Sequence, residues 1–214
     1  VHITALRKAL GDGVIATKQG RGYRFVENVS QAGPASRHHA GNLPTYAAGG
    51  SSGGASRLIG RDSQIETLSD LLAYSSLVTL VGPGGVGKTR LALEVANAAA
   101  SAFKDGAWLV ELASVSDGTA TAGAVATALG IKIGESAAPF ETLARQLARR
   151  NLLIVLDNCE QIVASCAALC EAIMGVAPNV RILATSREPL SCLGEQVFEV
   201  PPLALPGDGT PISS

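Results

Sequence analysis

Aromatic and charged residues are both scarce in this sequence of 214 residues. Aromatic side chains make up 4% of the chain and charged ones 16%, and the formal net charge is −1. This balance excludes a uniformly basic surface, so any contact with DNA has to come from a local basic patch. No stretch reaches the roughly 18 uninterrupted apolar residues of a membrane-spanning helix, and no basic region followed by a long apolar run stands at the N-terminus. We therefore expect a cytoplasmic protein with no membrane partner.

Cysteine is also infrequent, and its spacing fits neither of its usual structural roles. Cys159, Cys166, Cys170 and Cys192 form no paired zinc motif. Disulfides are not expected in a compartment that keeps thiols reduced. We predict that the four side chains act as small buried hydrophobes.

Hydrophobic residues, at 47%, suffice for one sizeable core and a smaller unit. Residues 28–57 are rich in Gly, Ser, Ala and Pro and offer little to bury, which predicts a flexible linker. This linker separates a unit of residues 1–27 from a larger domain of residues 58–205. Residues 206–214 form a tail.

The first unit has the pattern of a helix followed by a β-hairpin. Residues 1–10 place apolar side chains at helical spacing around Arg7 and Lys8. The β-prone runs 14–18 and 23–26 then flank a glycine-containing turn.

In the larger domain, helices alternate with strands rich in Val, Ile and Leu. This alternation predicts an α/β fold of the P-loop NTPase type, in which helices cover both faces of a parallel sheet. The predicted strands are 77–81, 107–111, 152–157 and 180–185, and the predicted helices are 61–74, 87–103, 120–129, 139–149 and one that ends near residue 174.

A phosphate-binding loop joins the first of these strands to the next helix. Glycines allow the backbone N–H groups to wrap around a phosphate, toward which the helix directs its positive end. Lys88 adds a cation for the β and γ phosphates, and the Thr89 hydroxyl is suited to bind magnesium. The loop consists of Gly82, Pro83, Gly84, Gly85, Val86, Gly87, Lys88 and Thr89. We predict that it binds ATP or ADP with Mg²⁺.

Two acidic residues follow the apolar run 153–156. A carboxylate at the end of a buried strand is costly without a cation nearby, so we predict that Asp157 binds the magnesium ion; the alternative is that it caps the following helix. Glu160 is a candidate catalytic residue that orients or deprotonates the attacking water. It is equally suited to be a solvated glutamate favoured by the helix dipole. Both interpretations stay open because Asn158 stands where many P-loop ATPases have a second acid.

The last predicted strand ends in hydroxyl side chains and Arg187. A guanidinium at the carboxyl end of a parallel strand is placed to contact the γ-phosphate. The alternative is an ion pair with Glu188 or another surface acid. No Asn-Lys-x-Asp motif for reading guanine follows the phosphate loop, so ATP is preferred to GTP.

Four segments, in this order, resemble a STAND-type ATPase of the NB-ARC or bacterial regulator kind: residues 58–62, 81–89, 153–160 and 181–190. The resemblance extends over residues 58–205. It implies that Ile59, Gly60 and Arg61 lie against the adenine and that Arg90 contributes to the nucleotide site. Asp62 stands where the family usually has Glu. The resemblance also implies slow ATP hydrolysis.

Residues 1–12 and 20–25 resemble the end of a winged-helix DNA-binding domain of the response-regulator type, whose helix enters the major groove and whose hairpin is the wing. The resemblance implies that Thr4, Arg7 and Lys8 lie on or near DNA and that Lys18 and Arg21 lie near phosphates. Five basic residues face two acidic ones in residues 1–27, a balance that suits such contacts. The alternative is an ordinary module docked on the ATPase.

Together the resemblances predict a bacterial transcription regulator in which the bound nucleotide switches an ATPase that controls binding to promoter DNA. Because the winged-helix match begins inside the recognition helix and the ATPase family continues into a sensory region, we expect a fragment of a longer protein. The missing region would receive an inducer or partner, and ATP binding would promote self-association. Two other hypotheses stay open: a steadily hydrolysing ATPase with no DNA partner, and an inactive truncated product.

Overall fold

The computed structural model describes residues 15–18, 22–25, 43, 58, 60–134 and 136–202. The chain divides into two compact units, Val1–His38 and His39–Ser214. In the first unit, β1 (Ile15–Lys18) and β2 (Gly22–Phe25) pair antiparallel, with Lys18 opposite Gly22. The predicted hairpin is thus confirmed, whereas the predicted helix of residues 1–10 lies outside the described residues.

The second unit alternates helices and strands in the predicted order. Its elements are α1 (Asp62–Tyr74), β3 (Leu77–Val81), α2 (Lys88–Ala99), β4 (Ala107–Glu111), α3 (Thr121–Ala128), α4 (Pro139–Leu147), β5 (Leu153–Asp157), α5 (Val163–Val176), β6 (Arg181–Ser186) and β7 (Glu195–Glu199). The first two predicted strands match β3 and β4 residue for residue. Short 3-10 turns, Ala100–Ala102, Gly118–Ala120 and Cys159–Gln161, follow α2, precede α3 and follow β5.

Five of these strands form one parallel sheet in the order β4-β5-β6-β3-β7. The sequence prediction missed β7, whose residues Glu-Gln-Val-Phe-Glu contain only two apolar side chains. Within the described residues β7 pairs only with β3 and lies at the sheet edge, with intermediate or exposed side chains along its length. An edge strand of this kind does not need the continuous apolar run that identifies the central strands.

Helices cover both faces of the sheet, as predicted. Successive side chains of a strand point to opposite faces, and in β5 Leu153 belongs to one buried cluster while Ile154 belongs to the other. The cluster that contains Leu153 packs against α1 and α2. The cluster that contains Ile154 packs against α3, α4 and α5. The resulting core holds the carboxyl ends of the strands in fixed relative positions.

All four cysteines are free thiols buried in the cluster that contains Ile154, which confirms the prediction of buried hydrophobes. A hydrogen bond with Cys166, together with burial, raises the pKa of Cys159. Burial raises the pKa of Cys192 to about 11. In the described ranges, no helix combines the length and the apolar character needed to cross a membrane.

Candidate nucleotide-binding site

The site forms where the carboxyl ends of β3, β5 and β6 meet. In a parallel sheet the carboxyl ends of all strands lie at the same end of the sheet, and β6 lies between the other two strands. Val81, the last residue of β3, is opposite Ser186, the last residue of β6. The phosphate loop, Asp157 and Arg187 therefore lie at the same end of the sheet.

The phosphate loop follows β3 and ends at the first turn of α2. Gly85 and Gly87 have φ angles of +79° and +94°. Residues with a Cβ rarely adopt this left-handed backbone conformation. Lys88 is buried, and its Nζ donates to the carbonyl oxygens of Gly82 at 2.9 Å and Pro83 at 3.1 Å. The ammonium group thus lies within the curve of the loop, at the positive end of α2.

A network of hydroxyl groups connects the loop to β5 and β6. Thr89 Oγ1 donates to Asp157 Oδ1 at 2.7 Å, and Thr185 Oγ1 donates to the same oxygen at 2.6 Å. Thr185 Oγ1 in turn accepts from the backbone N–H of Asn158 at 3.0 Å. Asn158 is the N-cap residue of the 3-10 turn after β5, and its side chain makes no cap hydrogen bond. Asp157 Oδ1 therefore accepts from hydroxyls on α2 and β6 at the end of the phosphate loop.

Thr185 is a site residue to which the sequence analysis gave no role. It occupies the penultimate position of β6 and is fully buried. The pattern showed that the strand ends in hydroxyl side chains, but a hydroxyl in a strand is common. Only the placement of β6 beside β5 shows that this one contacts Asp157.

Arg187 and Glu160 lie together at the rim of this network. Arg187 Nε is 3.2 Å from Glu160 Oε1. An ion pair is thus observed, as in the alternative, although the partner is the largely buried Glu160 and not Glu188, and the contact of Arg187 with a γ-phosphate stays a prediction. The two side chains, with Asn158, Gln161 and Glu188, line an open cleft of about 340 Å³.

The chain leaving β7 runs directly beside the phosphate loop. The backbone N–H of Val200 donates to Val81 O at 2.8 Å. A Cβ placed on Gly82 would lie 3.3 Å from Val200 O and 3.2 Å from Val86 Cγ1, which is closer than ordinary van der Waals contact. Close packing at this position therefore favours glycine over residues with a Cβ.

Arg61 lies beneath the phosphate loop and is almost completely buried, at 1% exposure. Its Nη2 donates to Val86 O at 2.9 Å and to Pro201 O at 3.0 Å. Its Nη1 is buried with no hydrogen-bond partner in the part of the chain that the structure describes. The guanidinium thus ties the phosphate loop to the segment after β7, and its contact with adenine stays a prediction.

The other residues predicted to contact the nucleotide are Ile59, Gly60 and Arg90. Gly60 is exposed with a φ of +77°, and Ile59 lies outside the described residues. Arg90 Nη2 pairs with Glu94 Oε1 at 2.9 Å, one turn further along α2. Their roles toward a nucleotide stay predictions.

The predicted DNA contacts fall almost entirely outside the described residues. Thr4, Arg7, Lys8 and Arg21 are not described, and of Lys18 only the backbone in β1 is described. These contacts stay predictions.

Curated proteins similar to this chain come from mycobacteria. A Mycobacterium tuberculosis protein named "Putative HTH-type transcriptional regulator" is 42% identical over 135 residues, which cover 63% of this chain and 15% of that protein. An uncharacterized protein of the same species is 35% identical over 150 residues, which cover 70% of this chain and 38% of that protein. The chain therefore matches about a seventh of the length of the regulator.

Solved structures with a similar fold share little sequence identity with it. A chain of Drosophila ORC bound to DNA superposes with a TM-score of 0.54 and 19% identity, over 66% of this chain and 43% of that chain. Cdc6p from Pyrobaculum aerophilum superposes with a TM-score of 0.50 and 18% identity, over 68% of this chain and 46% of that chain. These similarities establish the fold.

The family comparison agrees with the fold and with the loop geometry. Residues 57–185, more than half of the chain, match the sequence model of the AAA ATPase domain. The matched range begins before α1 and contains the phosphate loop, Asp157 and Thr185. The chain belongs to the AAA ATPase domain family.

Proposed function

We propose that this chain is the nucleotide-switched ATPase part of a bacterial transcription regulator, in which binding of ATP or ADP controls a winged-helix DNA-binding domain. The observation that carries the proposal is the joint placement of Lys88, Thr89 and Asp157 at the mouth of the phosphate loop. This arrangement supports nucleotide binding, and the regulatory role extends it to the whole protein.

The chemistry of the loop fits a bound polyphosphate. Two glycines with positive φ turn the backbone, and α2 begins at Lys88 directly after them. The Lys88 ammonium donates to two loop carbonyls, which are weaker acceptors than phosphate oxygens because they carry no net charge. A phosphate in the loop would therefore compete well for Lys88.

The oxygen atoms beside the loop also suit magnesium. Thr89 Oγ1 and Asp157 Oδ1 lie 2.7 Å apart on two different elements. In nucleotide sites Mg²⁺ takes only one or two oxygen ligands from the protein, and phosphate oxygens and water complete its coordination. The donor set fits, so Thr89 and Asp157 would hold the ion, and Thr185 would keep Asp157 in position. A bound magnesium ion would supply charge neutralisation at the β and γ phosphates.

Slow hydrolysis is the enzymatic side of the proposal. Glu160 would orient the attacking water, and Arg187 would contact the γ-phosphate and so distinguish ATP from ADP. In this structure Arg187 pairs with the Glu160 carboxylate, and the slow rate itself is what the family resemblance implies.

The regulatory side rests on the N-terminal unit and on the mycobacterial relative. The hairpin of β1 and β2 is the shape expected of a wing, and the name of the relative describes an HTH-type regulator. Thr4, Arg7, Lys8, Lys18 and Arg21 would contact promoter DNA. In the whole protein, a sensory region would receive an inducer, and self-association would accompany ATP binding.

A titration of the purified chain with fluorescent ATP and ADP in excess magnesium tests the nucleotide function. Lys88→Ala removes the ammonium group from the loop and is expected to weaken binding of both nucleotides at least tenfold. Lys104→Ala serves as the matched control, since this lysine is exposed in the turn before β4 and should bind as the unaltered chain does. Equal binding by the Lys88→Ala variant and the control would refute the site.

The regulatory function needs a separate measurement on the full-length protein. Binding to DNA from upstream of its own gene is expected to differ between the ATP and ADP states, and phosphate release is expected to be slow. Rapid phosphate release with no DNA binding in either state would favour the steadily hydrolysing ATPase.

A further inference from the structure

Arg187 and Glu160 form an ion pair whose two members differ greatly in exposure. Arg187 Nε is 3.2 Å from Glu160 Oε1, and the side chains are 67% and 15% exposed. Glu160 Oε2 is buried and has no hydrogen-bond partner within the described ranges. The Glu160 carboxylate is thus largely buried, whereas most of the Arg187 side chain is exposed to solvent.

The guanidinium also lies close to the phosphate loop. A Cβ added to Gly84 would be 3.8 Å from Arg187 Nη2, so the end of the arginine lies beside the loop backbone while its Nε contacts Glu160. Arg187 follows the last residue of β6, which is paired with the last residue of β3. A small change in the arginine side chain, with no movement of the sheet, would bring it from the carboxylate to an anion in the loop.

We propose that Glu160 competes with the γ-phosphate of ATP for Arg187, and that this exchange sets how strongly the site prefers ATP to ADP. The inference rests on the proposed nucleotide function and adds a role for Glu160 in discrimination between the two nucleotides. ATP brings a third phosphate within reach of Arg187, whereas ADP leaves the ion pair with Glu160 intact. The free energy needed to break that pair reduces the binding free energy gained from the γ-phosphate contact. Glu160 therefore lowers the preference for ATP.

The exposure of Arg187 sets the expected size of the effect of Glu160 on the ratio of ATP to ADP affinity. Ion pairs with a largely solvated member are weak, so their loss changes an affinity ratio by a small factor. Glu160→Gln keeps the shape and an acceptor oxygen but removes the charge. We expect it to raise the ratio of ATP to ADP affinity by about two- to fivefold.

The experiment measures affinities for a fluorescent non-hydrolysable ATP analogue and for fluorescent ADP in excess magnesium. The proteins compared are the unaltered chain, Glu160→Gln, Arg187→Ala and the double variant. Arg187→Ala should lower the affinity ratio, and adding Glu160→Gln to it should have no further effect, because no cation remains for which Glu160 competes. Glu188→Gln is the matched control: it removes a neighbouring carboxylate of the same cleft and should leave the ratio unchanged.

Two results would overturn the exchange. A purely structural role for Glu160 predicts that both affinities change together, leaving the ratio constant in Glu160→Gln. An increase of the same size in the Arg187→Ala background would show that Glu160 acts on the nucleotide without Arg187. In either case, binding that is lost in Lys88→Ala would leave the proposed nucleotide function standing, whereas no binding by the unaltered chain would refute both.

Discussion

Substitution of Arg61 by alanine should destabilise the fold, because its guanidinium joins two segments that are far apart in the sequence. The side chain donates to Val86 O and to Pro201 O, 25 and 140 residues away. A hydrogen bond from a charged group contributes about 1.5–3 kcal/mol. Pro201 is exposed, so water can replace one of these bonds after the substitution.

Burial of the Arg61 guanidinium offsets part of the stabilisation that its two hydrogen bonds provide. Arg61 Nη1 is buried without a partner in the described residues, and a buried unsatisfied donor costs about 1–3 kcal/mol, which Arg61→Ala would relieve. The loss of packing of a fully buried long side chain adds to the destabilisation. With these terms combined, the free energy of unfolding should fall by about 2–4 kcal/mol.

Urea unfolding of the 214-residue chain, followed by circular dichroism, measures this effect. A loss of that size lowers the midpoint by roughly 1–2 M. Arg61→Lys keeps the charge and a donor nitrogen, but its side chain is shorter and lacks the rest of the planar guanidinium, so its midpoint should be intermediate. Arg149→Ala, at an exposed position after α4, should change the free energy by no more than about 0.5 kcal/mol.

An unchanged midpoint in Arg61→Ala would refute the structural role of Arg61. If the midpoint were unchanged while nucleotide affinity fell, contact with adenine would be its main role. A fall in the midpoint without nucleotide present would support the connection between the phosphate loop and residues 200–202.

Three further predictions concern the loop, the metal ligand and the buried thiols. Gly82→Ala should lower the melting temperature, since its Cβ would lie 3.3 Å from Val200 O, whereas Gly84→Ala should melt normally. Thr185→Val should weaken magnesium-dependent ATP binding by removing the hydroxyl that orients Asp157, while Thr185→Ser should preserve it; equal magnesium dependence in the two variants would contradict this. The free energy of unfolding should fall as pH rises above 9.0 toward about 11, because the Cys192 thiol ionises first in the unfolded chain. Urea unfolding across this pH range should show a smaller fall in Cys192→Ala.

The strands and the phosphate loop were predictable because their signals are local. An apolar run followed by Gly82 to Thr89 specifies a strand, a tight backbone turn and a helix start within a few residues. The central strand β3 therefore has the predicted boundaries. Helix ends were less predictable: α2 ends at Ala99, and the residues up to Ala102 form a 3-10 turn, a common feature of helix ends.

The sequence by itself determined the P-loop fold class, the central strands and the residues that form the phosphate loop, because each depends on the chemistry of neighbouring residues. The tertiary structure alone decided that β7 pairs with β3, that Thr185 contacts Asp157 and that Arg187 pairs with Glu160. The order of parallel strands and the partners of long side chains depend on packing between segments that are distant in the chain. The position of Arg61 shows this most clearly, since the backbone of Pro201 completes its contacts.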